Sequence, residues 1–559
     1  MVVWPTYRSA LWGFGLLCLS ANGQVAPSQP AGIGHTRSIN GHHLHSPGSS
    51  FGPTGQGEII YQWEAPPDSN PYQTFADSNQ AALSGRIEYL SDSAVFSSHA
   101  TEMALIMAGQ SSDTAQAGLA PQAQLRATGI RAFADSAARY AQQDMALALH
   151  AYAENYGWNN GFWFGLEEID STEDYNWGRY DAQARIWDQL AFQNPHYLAI
   201  RSAGNSRGES QSGSHTLFQS VNGSTSQYVE ISSSTPRDPD GGTAGWDCLP
   251  PISTAKNALI VGAVDLLPKG YTDSSSVRAR PGSAFGPPDD GRIKPDLVAG
   301  GERTSQSAAA VAGGMALLSE LFRQIWNRPP LSSTLHAVAV NSTREAGPHP
   351  GPDYRYGHGL LDLRRAANTL QAQNSIEDTL QAGDTAVYYL HATGDTVRVT
   401  LAWTDPAGTP VSFLNDPLLL DNPAPMLVHD LDVELVDLAG RQRSFPYTLN
   451  VSQPSRAAQV ARNRVDNVER IQRPAARGEW LKLVISHHGI LAQGSQAFSL
   501  VYDQARPAMI FKGQWLGGSP SAHSGRYDAY IMPQEQVTLP AGFQLHDVTI
   551  GAGASVTIP

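Results

Sequence analysis

The sequence predicts an α/β domain, a mostly parallel sheet flanked by helices, followed by an all-β sandwich of jelly-roll-like type. Three observations predict it. Short apolar runs, such as Glu58-Ile59-Ile60-Tyr61-Gln62-Trp63, Tyr197-Leu198-Ala199-Ile200 and Ala258-Leu259-Ile260-Val261, recur up to about residue 372. Helical stretches at 99–109, 137–152, 180–193, 305–326 and 361–371 separate them. Runs that are apolar throughout suit strands covered on both faces, and strand–helix alternation suits a parallel sheet. After Gln373 the pattern changes to period two, in Val397 to Trp403, Leu431 to Val436 and Leu481 to Ile485, with turns such as Asp405-Pro406-Ala407-Gly408 between.

The elements divide the chain as follows. Arg8 precedes the apolar run Ala10 to Leu19, and Ala21 and Gly23 suit a cleavage site, so residues 1–23 read as a signal peptide too short to span a membrane. Residues 24–50 are rich in Gly, Ser, His and Pro and read as a linker. The α/β domain occupies 51–372, the sandwich 373–504 and a C-terminal extension with short strands 505–559, and no internal repeat of fixed period stands out. The expected protein is secreted or at the cell surface, without a membrane span.

Composition narrows the function. The 559 residues are 41% hydrophobic and 16% charged, enough for real cores and too charge-poor for a disordered or coiled-coil chain. Lys and Arg number 37 against 51 Asp and Glu, and the formal net charge of −14 repels nucleic acid and anionic lipid. Cys18 and Cys248 are the only cysteines, so no disulfide framework exists. Cys248, in Trp246-Asp247-Cys248-Leu249-Pro250, reads as a packed residue rather than a nucleophile. The histidines at 42, 43 and 45, and at 487 and 488, lack helical metal spacing and read as linker or surface residues.

Four segments, in order, carry candidate chemistry. The strand before Glu64 ends at a carboxylate, and strand C-terminal ends face the ligand crevice of an open parallel sheet. Ser98 can cap a helix whose first residues include His99. Asn205 follows a strand in Ser202-Ala203-Gly204-Asn205, where a side-chain amide can stabilise an oxyanion. Ser305 opens a small-residue helix, Thr304-Ser305-Gln306-Ser307-Ala308, at an end that favours negative charge. Taken singly, each has a plainer reading: a surface acid, a packed or capping histidine, a turn asparagine and a helix cap.

Taken together, the four resemble the subtilisin-like serine proteases, the subtilases, over about residues 52–371. Further carriers are Gly118-Leu119-Ala120-Pro121, Lys294-Pro295-Asp296-Leu297-Val298-Ala299 and Tyr356-Gly357-His358-Gly359. The sandwich resembles the β-domain of a secreted subtilase subgroup through Leu401 to Pro406, Asp430-Leu431-Asp432 and Asn463 to Glu469. The resemblance implies a serine endopeptidase acting on protein or peptide as a monomer. Ser305 would be the nucleophile, His99 the general base, Glu64 its orienting acid, and Asn205 with the Ser305 N–H the oxyanion site. No cofactor is required for that chemistry.

Departures from the family pattern are specific. Glu64 stands where the family has Asp, Glu102 where it usually has a second His, and Arg303 where it has Gly before Thr-Ser. Asp296 and Ser305 lie only nine residues apart, leaving out a strand and loop on the primed substrate side. The alternative function is therefore a catalytically impaired subtilase-fold binding or surface module. Asp430 and Asp432 suit either a structural calcium ion or ordinary turn chemistry.

Overall fold

A computed structural model describes residues 33–45, 51–65, 73–90, 95–112, 116–129, 137, 140–143, 145–152, 155–167, 169–211, 214–221, 225–231, 237–410, 420–521 and 525–558. The expected signal peptide lies outside them. Seven parallel strands form the central sheet: β1 (Ile59–Glu64), β2 (Ile87–Tyr89), β3 (Gln124–Gly129), β4 (Leu147–His150), β5 (Leu198–Ser202), β6 (Leu259–Val264) and β7 (Leu297–Gly300). Their order is β7-β6-β5-β4-β1-β3-β2, with β1 registered against β3 and β4. All of β4, β5, β6 and β7 is buried, as their apolar character requires.

Helices cover both faces. One face, with Ile60, Leu147, Leu149, Leu198, Ile200 and Val261, packs against α3 (Ser98–Ala108) and α5 (Thr304–Trp326), beyond two short N-terminal helices, α1 (Ile33–Ser38) and α2 (His42–His45). The small residues of α5 are a packing requirement. A Cβ on Gly313 would meet the Leu119 Cβ at 2.8 Å and the Met107 carbonyl at 2.9 Å. The other face carries Tyr61, Trp63, Ala148, Ala199 and Ile260 against Trp187 and Leu190 of α4 (Ala182–Gln193). Two further helices, α6 (Ser332–Asn341) and α7 (Leu363–Gln371), complete the domain.

Three expectations need correction. Residues 33–45 are not linker: Ile39 and Leu44 are fully buried in the main core. The helix expected over 137–152 gives way to β4, because the Ala-Leu alternation of Leu147–His150 fills the middle of the sheet and tertiary context overrides helix propensity. Ser97, not Ser98, caps α3, its Oγ accepting the Ala100 N–H at 3.2 Å.

The second domain is a sandwich of antiparallel strands. One sheet orders β8 (Ser375–Gln381), β14 (Ser495–Asp503), β10 (Thr396–Ala402) and β12 (Val468–Pro474). The other contains β11 (Asp430–Asp437), β13 (Trp480–His488), β9 (Ala386–Ala392) and β15 (Ala505–Lys512). Beyond β15 this sheet continues with parallel strands, so the C-terminal extension grows on the sandwich. β16 (Asp528–Ile531) pairs with β18 (Asp547–Ile550), and β17 (Gln536–Thr538) with β19 (Ser555–Thr557). Partners lie 19 residues apart in both pairs, Asp528 with Asp547 and Gln536 with Ser555. A short solenoid-like repeat is thus present where the sequence showed none.

Candidate active site

Glu64 and His99 meet at the C-terminal end of β1. Glu64 is the last residue of β1 and 4% exposed. His99 lies in the first turn of α3, with a side chain 33% exposed. Its Nδ1 is 2.8 Å from Glu64 Oε2, and Glu64 Oε1 accepts the Ala65 N–H at 3.1 Å. The extra methylene of Glu is therefore absorbed without losing contact. With Nδ1–H donating to the carboxylate, Nε2 is the ring nitrogen able to take up a proton. Burial disfavours the imidazolium, but the Glu64 charge and hydrogen bond, with Glu102 adding, outweigh burial and the opposing Arg303, so the His99 pKa is raised above 6.5.

The first turn of α5 meets the end of β5. Asn205 Oδ1 accepts the Thr304 N–H at 2.9 Å and the Thr304 hydroxyl at 3.0 Å. Both bonds hold the carbonyl end of the Asn205 amide, and among the described residues none bonds its NH₂. Ser305, 3% exposed, is the second residue of α5, and its hydroxyl makes no hydrogen bond with a described residue. In enzymes without substrate, the nucleophile–base bond is often long and tightens in the complex.

The short approach to α5 is braced rather than loose. Gly301 N–H donates to the Val264 carbonyl at 2.9 Å, and Ser307 Oγ to the Ala299 carbonyl at 2.9 Å. Gln306 Oε1 accepts the Glu302 N–H at 2.8 Å, while Gln306 Nε2 donates to Glu102 Oε1 at 2.9 Å. One side chain thus ties the approach, α5 and the helix carrying His99. The buried His35 adds a bond from Nδ1 to the Gly300 carbonyl at 2.9 Å. Arg303 is exposed and caps α5 without a side-chain bond. Sequence reasoning missed Gln306 and His35. The signal for Gln306 was an acid at 102 facing an amide donor one residue after Ser305; His35 was hidden in the supposed linker.

The remaining candidates take other places. Cys248 is buried, and burial pushes its thiol up to about 12, so it is inert as a nucleophile. Asp430 and Asp432 are held by arginines: Arg464 Nη1 lies 2.7 Å from Asp430 and 3.0 Å from Asp432, and Arg462 Nη1 3.3 Å from Asp432. His487 Nε2 accepts the Gly383 N–H at 2.8 Å.

A seven-stranded parallel sheet flanked by helices, with these residues at its strand ends, defines the class as α/β, and the family follows from comparison. The model of the subtilase family, Peptidase_S8, matches residues 75–359, and the chain belongs to that family. The match includes His99, Asn205 and Ser305 and begins after Glu64. The serine protease/ABC transporter B family protein tagA of Dictyostelium discoideum is 25% identical over 245 residues, 34% of this chain. The chain spans only 13% of that relative's length. Among solved structures, the prenylagaramide maturation protease PagA is 17% identical, with TM-score 0.36, covering 56% of this chain and 92% of its own. MycP1 from Mycobacterium smegmatis is 16% identical, with TM-score 0.35, covering 61% and 86%. No helix among the described residues is long and apolar enough to cross a membrane.

Proposed function

We propose that the chain is an exported serine endopeptidase that cleaves protein or peptide substrates through Ser305, His99 and Glu64. The observation that carries this reading is the 2.8 Å contact between His99 and Glu64 at the C-terminal end of β1, the end at which an open parallel sheet presents its ligand crevice. Ser305 Oγ attacks the scissile carbonyl as His99 Nε2 takes its proton. The tetrahedral oxyanion is met by the NH₂ of Asn205 and the Ser305 N–H. His99 then passes the proton to the leaving amine, and water repeats the sequence on the acyl-enzyme. Glu64 fixes the tautomer and stabilises the imidazolium. No metal or cofactor enters these steps.

The test is labelling of the purified chain by a fluorophosphonate probe. One equivalent should attach to Ser305 and none to Ser305→Ala. A folded chain that the probe does not label overturns the reading and leaves a subtilase-fold binding module.

A further inference from the structure

Three residues, Gly301 to Arg303, separate β7 from α5, which carries Ser305 in its first turn. So short a connection has little slack, and a shift of Gly300 passes on to Ser305. Gln306 holds the connection from within α5, at the Glu302 N–H. Gly300, at the sheet end, is held from outside. His35 of α1 is 6% exposed, and its Nδ1 lies 2.9 Å from the Gly300 carbonyl across 265 residues of sequence. A carbonyl oxygen only accepts, so Nδ1 carries the proton. Burial lowers the His35 pKa below 6.5 against the carboxylates of Glu102 and Glu302, so the ring is neutral at pH 7.

The segment that delivers this ring is fixed by other bonds. A Cβ on Gly300 would lie 2.4 Å from Ser38 Oγ, so α1 and the end of β7 are in direct contact. The same Oγ accepts the Leu267 N–H at 2.7 Å, just past the end of β6. Further along, the Ile39 carbonyl accepts the Leu363 N–H at 2.9 Å, and Asn40 Nδ2 donates to Asp362 Oδ2 at 3.0 Å, both at the start of α7. Ile39 and Leu44 are fully buried between these ties. An apolar side chain at 35 would fill the same space without the cost of burying a polar ring. What histidine adds is an N–H aimed at Gly300.

We propose that His35 is a positioning residue for Ser305: its Nδ1–H fixes the Gly300 carbonyl and, through it, the short connection that aims the nucleophile. The N-terminal segment 33–45 is then part of the working peptidase domain, supporting from outside a connection too short to support itself. This inference rests on the reading of Ser305 as the nucleophile.

The test measures how fast a fluorophosphonate probe labels the full chain, with melting curves alongside. His35→Phe keeps a ring and removes the donor, and His35→Leu removes it in a smaller volume. His35→Asn loses the ring but keeps an N–H donor near the place of Nδ1. Loss of the donor should slow labelling about 10- to 100-fold, the scale of a nucleophile displaced by up to 1 Å. His35→Asn should recover most of the wild-type rate. A residue that only fills space would give the opposite order, with His35→Phe ahead of His35→Asn. Donor-free variants that fold and label as fast as wild type, His35→Asn slower than His35→Phe, or failure of all three variants to fold overturns this proposal and leaves the Ser305 reading standing. Wild type that takes no label overturns both.

Discussion

Glu64, at the end of β1, and Asp405, in the turn after β10, are both buried carboxylates facing a basic side chain. Around Asp405, at the domain seam, the charges are closely bonded. Lys256 Nζ donates to Asp405, to the Pro406 carbonyl at 2.6 Å and to the Met426 carbonyl at 2.7 Å. Asp405 also accepts the Val428 N–H at 2.9 Å and the His429 N–H at 2.7 Å. In the candidate site, closure stops halfway. Glu64 bonds His99 and the Ala65 N–H, but among the described residues none bonds the far nitrogen of His99 or the Ser305 hydroxyl. Full satisfaction of a buried charge makes a rigid joint, and withholding it on one side leaves a group able to exchange a proton.

The contrast is tested most severely at Ser305. Ser305→Ala should lower hydrolysis of a protein substrate by about 10⁶-fold while leaving the melting curve in place, since the hydroxyl has no structural bond to lose. Glu64→Gln follows, with kcat down by about 10⁴-fold through loss of the correct tautomer. It should also move the pH profile. The His99 pKa is raised in the wild type, so the acid limb of kcat/KM lies above pH 6.5, activity growing as the imidazolium loses its proton. Removing the Glu64 charge leaves burial and Arg303, both favouring the neutral ring, opposed only by the smaller influence of Glu102, and the limb shifts to lower pH. An unmoved limb would mean that Glu64 does not set the charge of His99.

The closed side of the contrast predicts the reverse pattern. Lys256→Met leaves Asp405 buried and without its cation, which should cost about 3–5 kcal/mol of stability, read as a lower denaturant midpoint. At temperatures where the variant stays folded, its kcat should match wild type. A variant as stable as wild type would show the seam to be no joint at all.

Much of the candidate site was legible in the sequence because its residues sit in local strand-end and helix-start patterns. Glu64 ends β1, Asn205 follows β5, and His99 and Ser305 lie in the first turns of α3 and α5, elements that periodicity can find. Parts that depend on distant partners were not legible. Ile39 and Leu44 lie in a segment whose composition reads as linker, and only the core they enter reveals them. Asp528-Ala529-Tyr530-Ile531 and Asp547-Val548-Thr549-Ile550 share only their first and last residues, too little over so few turns to expose a 19-residue period.

Gln306 lies between the two regimes: a fully bonded side chain that serves an unfinished site. Gln306→Ala should leave substrate binding nearly intact and lower kcat by about 10- to 100-fold, the scale of a sub-ångström to 1 Å shift of the nucleophile. Glu102→Gln keeps a group that can accept the Gln306 amide and should retain most activity. A KM increase with unchanged kcat in Gln306→Ala would place the residue in substrate binding instead of positioning.

The smallest effect belongs to Arg303. The sequence suggests that a large side chain before Thr304-Ser305 crowds the nucleophile and that the short approach leaves it unsupported. Arg303 is exposed, and the approach is pinned at Gly300, Gly301 and Glu302 by bonds that do not involve its side chain. Its remaining influence is electrostatic: a cation near His99 that opposes protonation of the ring. Arg303→Gly should therefore change kcat by no more than about threefold, roughly the effect of weakening one screened surface charge. It should move the acid limb of the pH profile slightly upward, the direction opposite to Glu64→Gln. A rise of tenfold or more in kcat at the pH plateau would show that side-chain bulk, not charge, limits this nucleophile.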